Sequence, residues 1–115
     1  MSRGAVLDFI SRELGGYVEV LEATLSVGVS AGEVAGGDGE RVGLVLVNLS
    51  TATIWVAPTP AVSSSRGIQI GSSGGYLVLN VRDDMILPSL QWYAVASAAA
   101  SSLYVVRVRR FRAGS

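Results

Sequence analysis

At residue 17 the spacing of apolar side chains shifts from a helical period to one close to two, and it stays there for most of the remaining chain. Leu25, Val27 and Val29 alternate with Ser26 and Gly28, the pattern of a strand with one face buried. Residues 17–21 read as strand as well. Short apolar runs follow at 42–48, 53–57, 68–70, 76–81, 91–97 and 103–110, each bounded by turn-forming residues. Pro58 and Pro60 close the second of these runs, because proline cannot donate to a ladder. The run 42–48 is nearly all apolar, which predicts a central strand covered on both faces. Residues 31–40, with Gly32, Gly36, Gly37 and Gly39 among Glu33, Asp38 and Glu40, predict an exposed, mobile loop. Such a train of short strands predicts an all-β fold: one antiparallel β-sandwich or jelly-roll-like domain of about seven or eight strands. It spans residues 17–115 without an internal repeat or linker.

Before residue 17 the reading differs. Val6, Leu7, Ile10 and Leu14 fall on one side of a helical wheel, with Asp8 and Arg12 four residues apart on the other. Gly15 and Gly16 stop the pattern. Residues 1–16 therefore predict a short amphipathic helix or arm, its stripe interrupted by Glu13 between Phe9 and Val6. A helix this short is marginal in water and must dock, on its own sheet or on a neighbouring subunit. Val6, Phe9, Ile10 and Leu14 are the candidate contact residues.

A chain of 115 residues fits one domain. Half of its residues are hydrophobic and 16% are charged, which is apolar for a domain with so much surface to keep wet. Part of that surface is expected to be covered by copies of the chain or by a partner, unless Ala and Val simply fill ordinary sheet positions. All the basic residues are Arg, the cation favoured in interfaces, although a GC-rich coding bias has the same effect. A formal net charge of zero argues against a nucleic-acid partner. The apolar stretch at residues 5–10 is short and interrupted by Asp8, so it does not read as a signal peptide, and no run is long enough to span a bilayer. The expectation is a soluble protein made in the cytoplasm, with no membrane partner.

Chemistry has few residues to use. Without Cys or His there is no thiolate nucleophile, no imidazole base and no soft metal site. Asp83 and Asp84 read as a solvated turn, since adjacent carboxylates do not converge. The 36–40 loop lacks the ligand spacing of an EF-hand, and residues 71–75 are followed by no Lys-Ser/Thr pair that would hold phosphate. Ser63, Ser64 and Ser65 have no histidine to activate them. No enzyme, cofactor or metal site is expected. The last strand carries Arg107 and Arg109 on one face, opposite Tyr104, Val106 and Val108, and Arg110 and Arg112 follow. This basic strand is expected to guard a sheet edge or to contact another subunit, with Arg107, Arg109 and Arg110 as candidate interface residues. Trp55, Trp92 and Tyr93 are either core or a platform for stacking on a glycan.

Residues 41–110 resemble the small β-sandwich structural proteins of tailed bacterial and archaeal viruses. The resemblance runs through a strand ending at Asn48, the Ile54-to-Pro58 strand, the Gly67-Ile68-x-Ile70 step and the Tyr93-Ala94-x-x-Ser97 strand. It implies a virion component, such as a capsid decoration or cement protein, a head-tail joint or part of a fibre. Its partners would be copies of itself, as a homo-oligomer, and capsid or other virion proteins. The alternative is a carbohydrate-binding or adhesion module built on Trp55, Trp92 and Tyr93.

Overall fold

Alternation along each run decides which side chains can be buried together, and eight strands result. They are β1 (Tyr17–Val27), β2 (Gly32–Ala35), β3 (Arg41–Asn48), β4 (Ile54–Ala57), β5 (Ile68–Ile70), β6 (Tyr76–Asn80), β7 (Trp92–Ala96) and β8 (Ser101–Phe111). The structure, a computed structural model, describes residues 17–111. The helix or arm expected over residues 1–16 lies outside them, as do its contact residues Val6, Phe9, Ile10 and Leu14. One helical turn, α1 (Val81–Asp84), and a 3-10 turn (Leu87–Ser89) interrupt the strands.

The strands form two four-stranded antiparallel sheets. Sheet A has the order β1-β8-β3-β6 and sheet B the order β2-β7-β4-β5. The first strand pairs with the eighth, the second with the seventh, the third with the sixth and the fourth with the fifth. This nesting folds one long hairpin over itself into a β-sandwich of two antiparallel sheets. Between the sheets lie Leu44, Leu46, Leu79, Leu103 and Val105 from sheet A. They meet Ile54, Val56, Ile70, Trp92, Ala94 and Ala96 from sheet B. Trp92 is 1% exposed, and its indole Nε1 donates to the Leu87 carbonyl at 2.8 Å, which holds the 3-10 turn against the core.

Asn48, at the end of β3, is fully buried and fully satisfied. Its Nδ2 donates to the carbonyls of Ala52 (2.7 Å) and of Ile70 (3.1 Å), the latter on the opposite sheet. Its Oδ1 accepts from the backbone N–H and the hydroxyl of Ser50 at 2.9 and 2.6 Å. Its main chain is bonded to the 71–75 turn, from Asn48 N to Gly75 O (2.8 Å) and from Gly74 N to Asn48 O (2.7 Å). That turn needs glycine twice. Gly74 has φ +106°, and a Cβ at Gly75 would sit 2.3 Å from the Gly71 carbonyl oxygen.

Two local expectations change. Residues 31–40 are not all loop, because Gly32–Ala35 pairs with β7 across a bulge, and Ala35 is buried in the core. Only the glycine-rich remainder stays irregular, where no apolar side chain is available to pack. Strand β3 is central in sheet A, but it is buried on one face only, since no described element lies over its other side. Asp83 and Asp84 do form a turn, with a structural role. Asn80 caps α1 by accepting from Asp83 N at 2.9 Å, and the Asp84 carboxylate accepts from Asn80 N at 2.9 Å.

Replacing Asn48 with Leu should cost about 3 kcal/mol or more, because it strands several buried polar groups at once. Urea unfolding of the variant measures this. In the same assay Gly75→Ala should lower the midpoint clearly, whereas Gly71→Ala, with open space at its Cβ, should move stability by less than about 1 kcal/mol.

Candidate interaction surface

The register of sheet A places the outward side chains of its middle in three rows. Val20, Val108 and Gly43 share one row, with Asn80 at its end. Glu22, Val106, Val45 and Val78 make the next, and Thr24, Tyr104, Val47 and Tyr76 the third. The middle of this face is therefore a field of valine and tyrosine. Val106, Val108, Val45 and Val47 are half-buried, and Val20 is 61% exposed. On the rim the Tyr104 hydroxyl donates to the Glu22 carboxylate, which raises the phenol pKa above its ordinary value.

Apolar exposure continues around the β6 edge. Tyr76 is 71% exposed, and Val78 and Val81 are exposed beside it. Met85 and Ile86, in the turn after α1, reach 74% and 69%. Met85 has φ 54° and ψ −115°, a backbone conformation that side chains rarely adopt. A large apolar residue is thus held outward at a strained position, next to a sheet edge with no neighbour among the described strands.

The arginines of β8 lie at the end of sheet A where β6 runs into α1, and β8 is not an edge: it lies inside sheet A between β1 and β3. Edge protection is thereby corrected to local pairing. Arg109 binds Asp38 at 2.7 Å through Nε and Glu19 at 2.9 Å through Nη1, so it ties the 36–40 loop to β1. Arg110 binds Glu40 at 3.2 Å. The hydrogen bond from Arg109 holds the Asp38 carboxyl below its usual range; partial burial opposes this, and the Glu40 N–H adds to it. Arg109 is in turn raised, by Asp38 first and Glu19 second. Arg41 is buried on the same side and donates to the Gly36 carbonyl, with its Nη1 lacking a partner among the described residues. Burial lowers its pKa, Asp38 opposes that, and the nearby Arg107 charge adds to the lowering.

The three aromatic residues do not form one platform. Trp92 belongs to the core, because an inward position on β7 buries its whole indole. Trp55 and Tyr93 lie on the outward face of sheet B, and Trp55 lines a shallow groove of about 400 Å³ with Val29, Val62, Ser63, Ser64 and Val95. Among the described residues, no group of three or more acidic side chains is placed to hold a metal ion, and no helix is long and apolar enough to cross a membrane.

The β6 edge and the outer face of sheet A were not singled out from the sequence. The available signal was the run 42–48, which is apolar at both parities and so must present valines on both faces.

No protein-family model matches this chain, and no curated protein matches it. A solved structure from Bacillus endospore appendages, which form a family of disulfide-linked pili, is similar in fold, with a TM-score of 0.50. The match covers 83% of this chain and 87% of that one at 14% sequence identity, a likeness of fold alone.

Since the folded-state pKa of Asp38 is depressed, its pairing with Arg109 stabilises the fold above the unfolded carboxyl value of about 4 and is lost as pH falls through the lower, folded value. Asp38→Asn should therefore be less stable than wild type at neutral pH, and the two should converge in acid. Thermal unfolding of both proteins across a pH series reads this out.

Proposed function

We propose that this chain is a non-catalytic structural subunit that acts through protein–protein contacts, with the β6–α1 edge as its main contact surface. The observation that carries the reading is the run of exposed apolar side chains Tyr76, Val78, Val81, Met85 and Ile86 at an open sheet edge. Large apolar residues so grouped, one of them on a strained backbone, are the usual mark of a binding surface. Methionine suits such a surface because its flexible thioether adapts to a partner. The appendage likeness supports the class, since a sandwich of similar fold builds disulfide-linked pili there. This chain has no cysteine, so disulfides do not link its copies.

The setting we propose is a virion, made in the host cytoplasm, where the chain decorates or cements a capsid or joins a related assembly. Its support is the sequence resemblance of residues 41–110. The partners are copies of the chain and other virion proteins.

Light scattering over a dilution series should give an oligomer for the wild type and a single-chain mass for Met85→Glu/Ile86→Glu with an unchanged far-UV spectrum. A wild type that is monomeric at every concentration, or an oligomer that survives both substitutions, overturns the assignment of this surface.

A second reading, glycan binding, rests on Trp55 beside Ser63 and Ser64 in the sheet B groove. It expects binders on a glycan array that are lost in Trp55→Ala while the fold is kept, and an array without binders removes it.

A further inference from the structure

Met85 and Ile86 form an apolar knob on the turn after α1, at the end of sheet A where β1 begins. The groove beside Trp55 lies on the outer face of sheet B and reaches Val29 and Ser97, past the far ends of β1 and β7, where Ala96 N donates to Gly28 O at 2.8 Å. Knob and groove thus lie on different faces and toward opposite ends of the molecule. Taking the β6–α1 edge as a contact surface, as above, we propose that Met85 and Ile86 of one copy insert into the Trp55 groove of a second copy. Such a head-to-tail contact can repeat from chain to chain.

The fit in size comes first. A groove of about 400 Å³ is near the small end of ligand-sized pockets, the scale of a pair of side chains rather than of a strand or helix. Its walls are Val29, Val62, Val95 and Trp55 with the hydroxyls of Ser63 and Ser64, and none of the described residues lining it is charged. A methionine thioether packs well against an aromatic ring. The positive φ at Met85 fixes the direction of the knob before contact, so little ordering remains on binding.

Charge chooses between this contact and a symmetric one. Arg82, Asp83 and Asp84 give α1 one net negative charge, and Asp83 is exposed beside the knob. Two copies joined knob to knob across a two-fold axis would bring these like-charged turns together, which is unfavourable. The groove offers the opposite sign. Arg66 is the one charged residue from 42 to 81, is exposed, and makes no ion pair among the described residues. It closes the turn that carries Ser63 and Ser64, with Ser63 N and Arg66 N each donating to the other's carbonyl at 3.1 Å. The next residue, Gly67, packs on Trp55, and a Cβ there would lie 3.3 Å from the Trp55 Cβ. Arg66 is therefore at the rim of the groove, placed to meet Asp83 of the incoming copy. A knob of this size buries less than the about 800 Å² per partner of a standard interface, so each junction is weak and assembly depends on concentration.

Complementation separates this contact from a symmetric one. The knob variant Met85→Glu/Ile86→Glu keeps its groove, and the groove variant Val29→Glu/Ser64→Glu, altered at two exposed positions, keeps its knob. Above the concentration at which the wild type assembles, light scattering should give the single-chain mass for each variant alone. Their equal mixture should give twice that mass and nothing larger. A mixture that stays at the single-chain mass overturns the proposal. So does a groove variant that assembles like the wild type; with the knob variant monomeric, that result spares the β6–α1 surface and leaves the groove to a glycan. A knob variant that still assembles sinks that surface and this contact with it. Should the groove variant misfold, Arg66→Asp decides: it should raise the assembly concentration about fivefold, and Arg66→Asp/Asp83→Arg in one chain should restore it. Equal assembly of these two proteins and the wild type overturns the proposal.

Discussion

Two sheets that touch only through apolar side chains can slide over one another, because hydrophobic contact has no direction. In this protein the buried amide of Asn48 removes that freedom. It belongs to sheet A, donates to Ile70 on the edge strand of sheet B, and closes the β3–β4 turn through Ser50 and Ala52. Its main chain also registers the 71–75 turn that leads into β6. One residue thereby couples three connections and both layers. Every partner is placed by the same hydrogen-bond network, so the arrangement is specific as well as stable. Trp92 does the equivalent at the other end of the core, where its indole N–H fixes the 3-10 turn.

With the layers fixed, the remaining apolar surface has to go somewhere. Half of the residues are hydrophobic, and the space between two four-stranded sheets does not hold them all. Much of the excess lies on the outer face of sheet A and along the β6–α1 edge, with Val29, Leu49 and Ile68 exposed elsewhere. Charge gathers at the end of sheet A where β1 begins, and there Arg109 and Arg110 are neutralised by Asp38, Glu19 and Glu40. A molecule with these ions paired at one end and valines, tyrosines and a methionine turned outward has the kind of surface that the proposed protein–protein role requires.

Much of the fold could be read along the chain. Strands β3, β5 and β7 fall where alternation and turn residues put them, and Pro58 follows the end of β4 as its missing donor requires. Strand β2 could not be read, because Gly32 and Glu33 carry no strand signal and are held by pairing with β7. The opposite faces of β8 were also legible, with Arg107 and Arg109 apart from Tyr104, Val106 and Val108. That Arg109 serves a local ion pair was not, since Asp38 lies 71 residues away. Nor did single-residue reasoning separate Trp55 from Trp92, two tryptophans on neighbouring strands with opposite outlooks.

What the sequence determined by itself is local: where strands run, which side chains share a face, where turns fall, and that His and Cys chemistry is absent. Peptide geometry enforces these, because successive side chains on any strand point to opposite sides. Only the tertiary structure decided the nested strand order, which of the two faces of β3 is buried, and which apolar residues are left outward at an edge. Those outcomes depend on pairings between residues far apart in the chain, such as Asn48 with Ile70 and Arg109 with Asp38, and alternation carries no record of the partner.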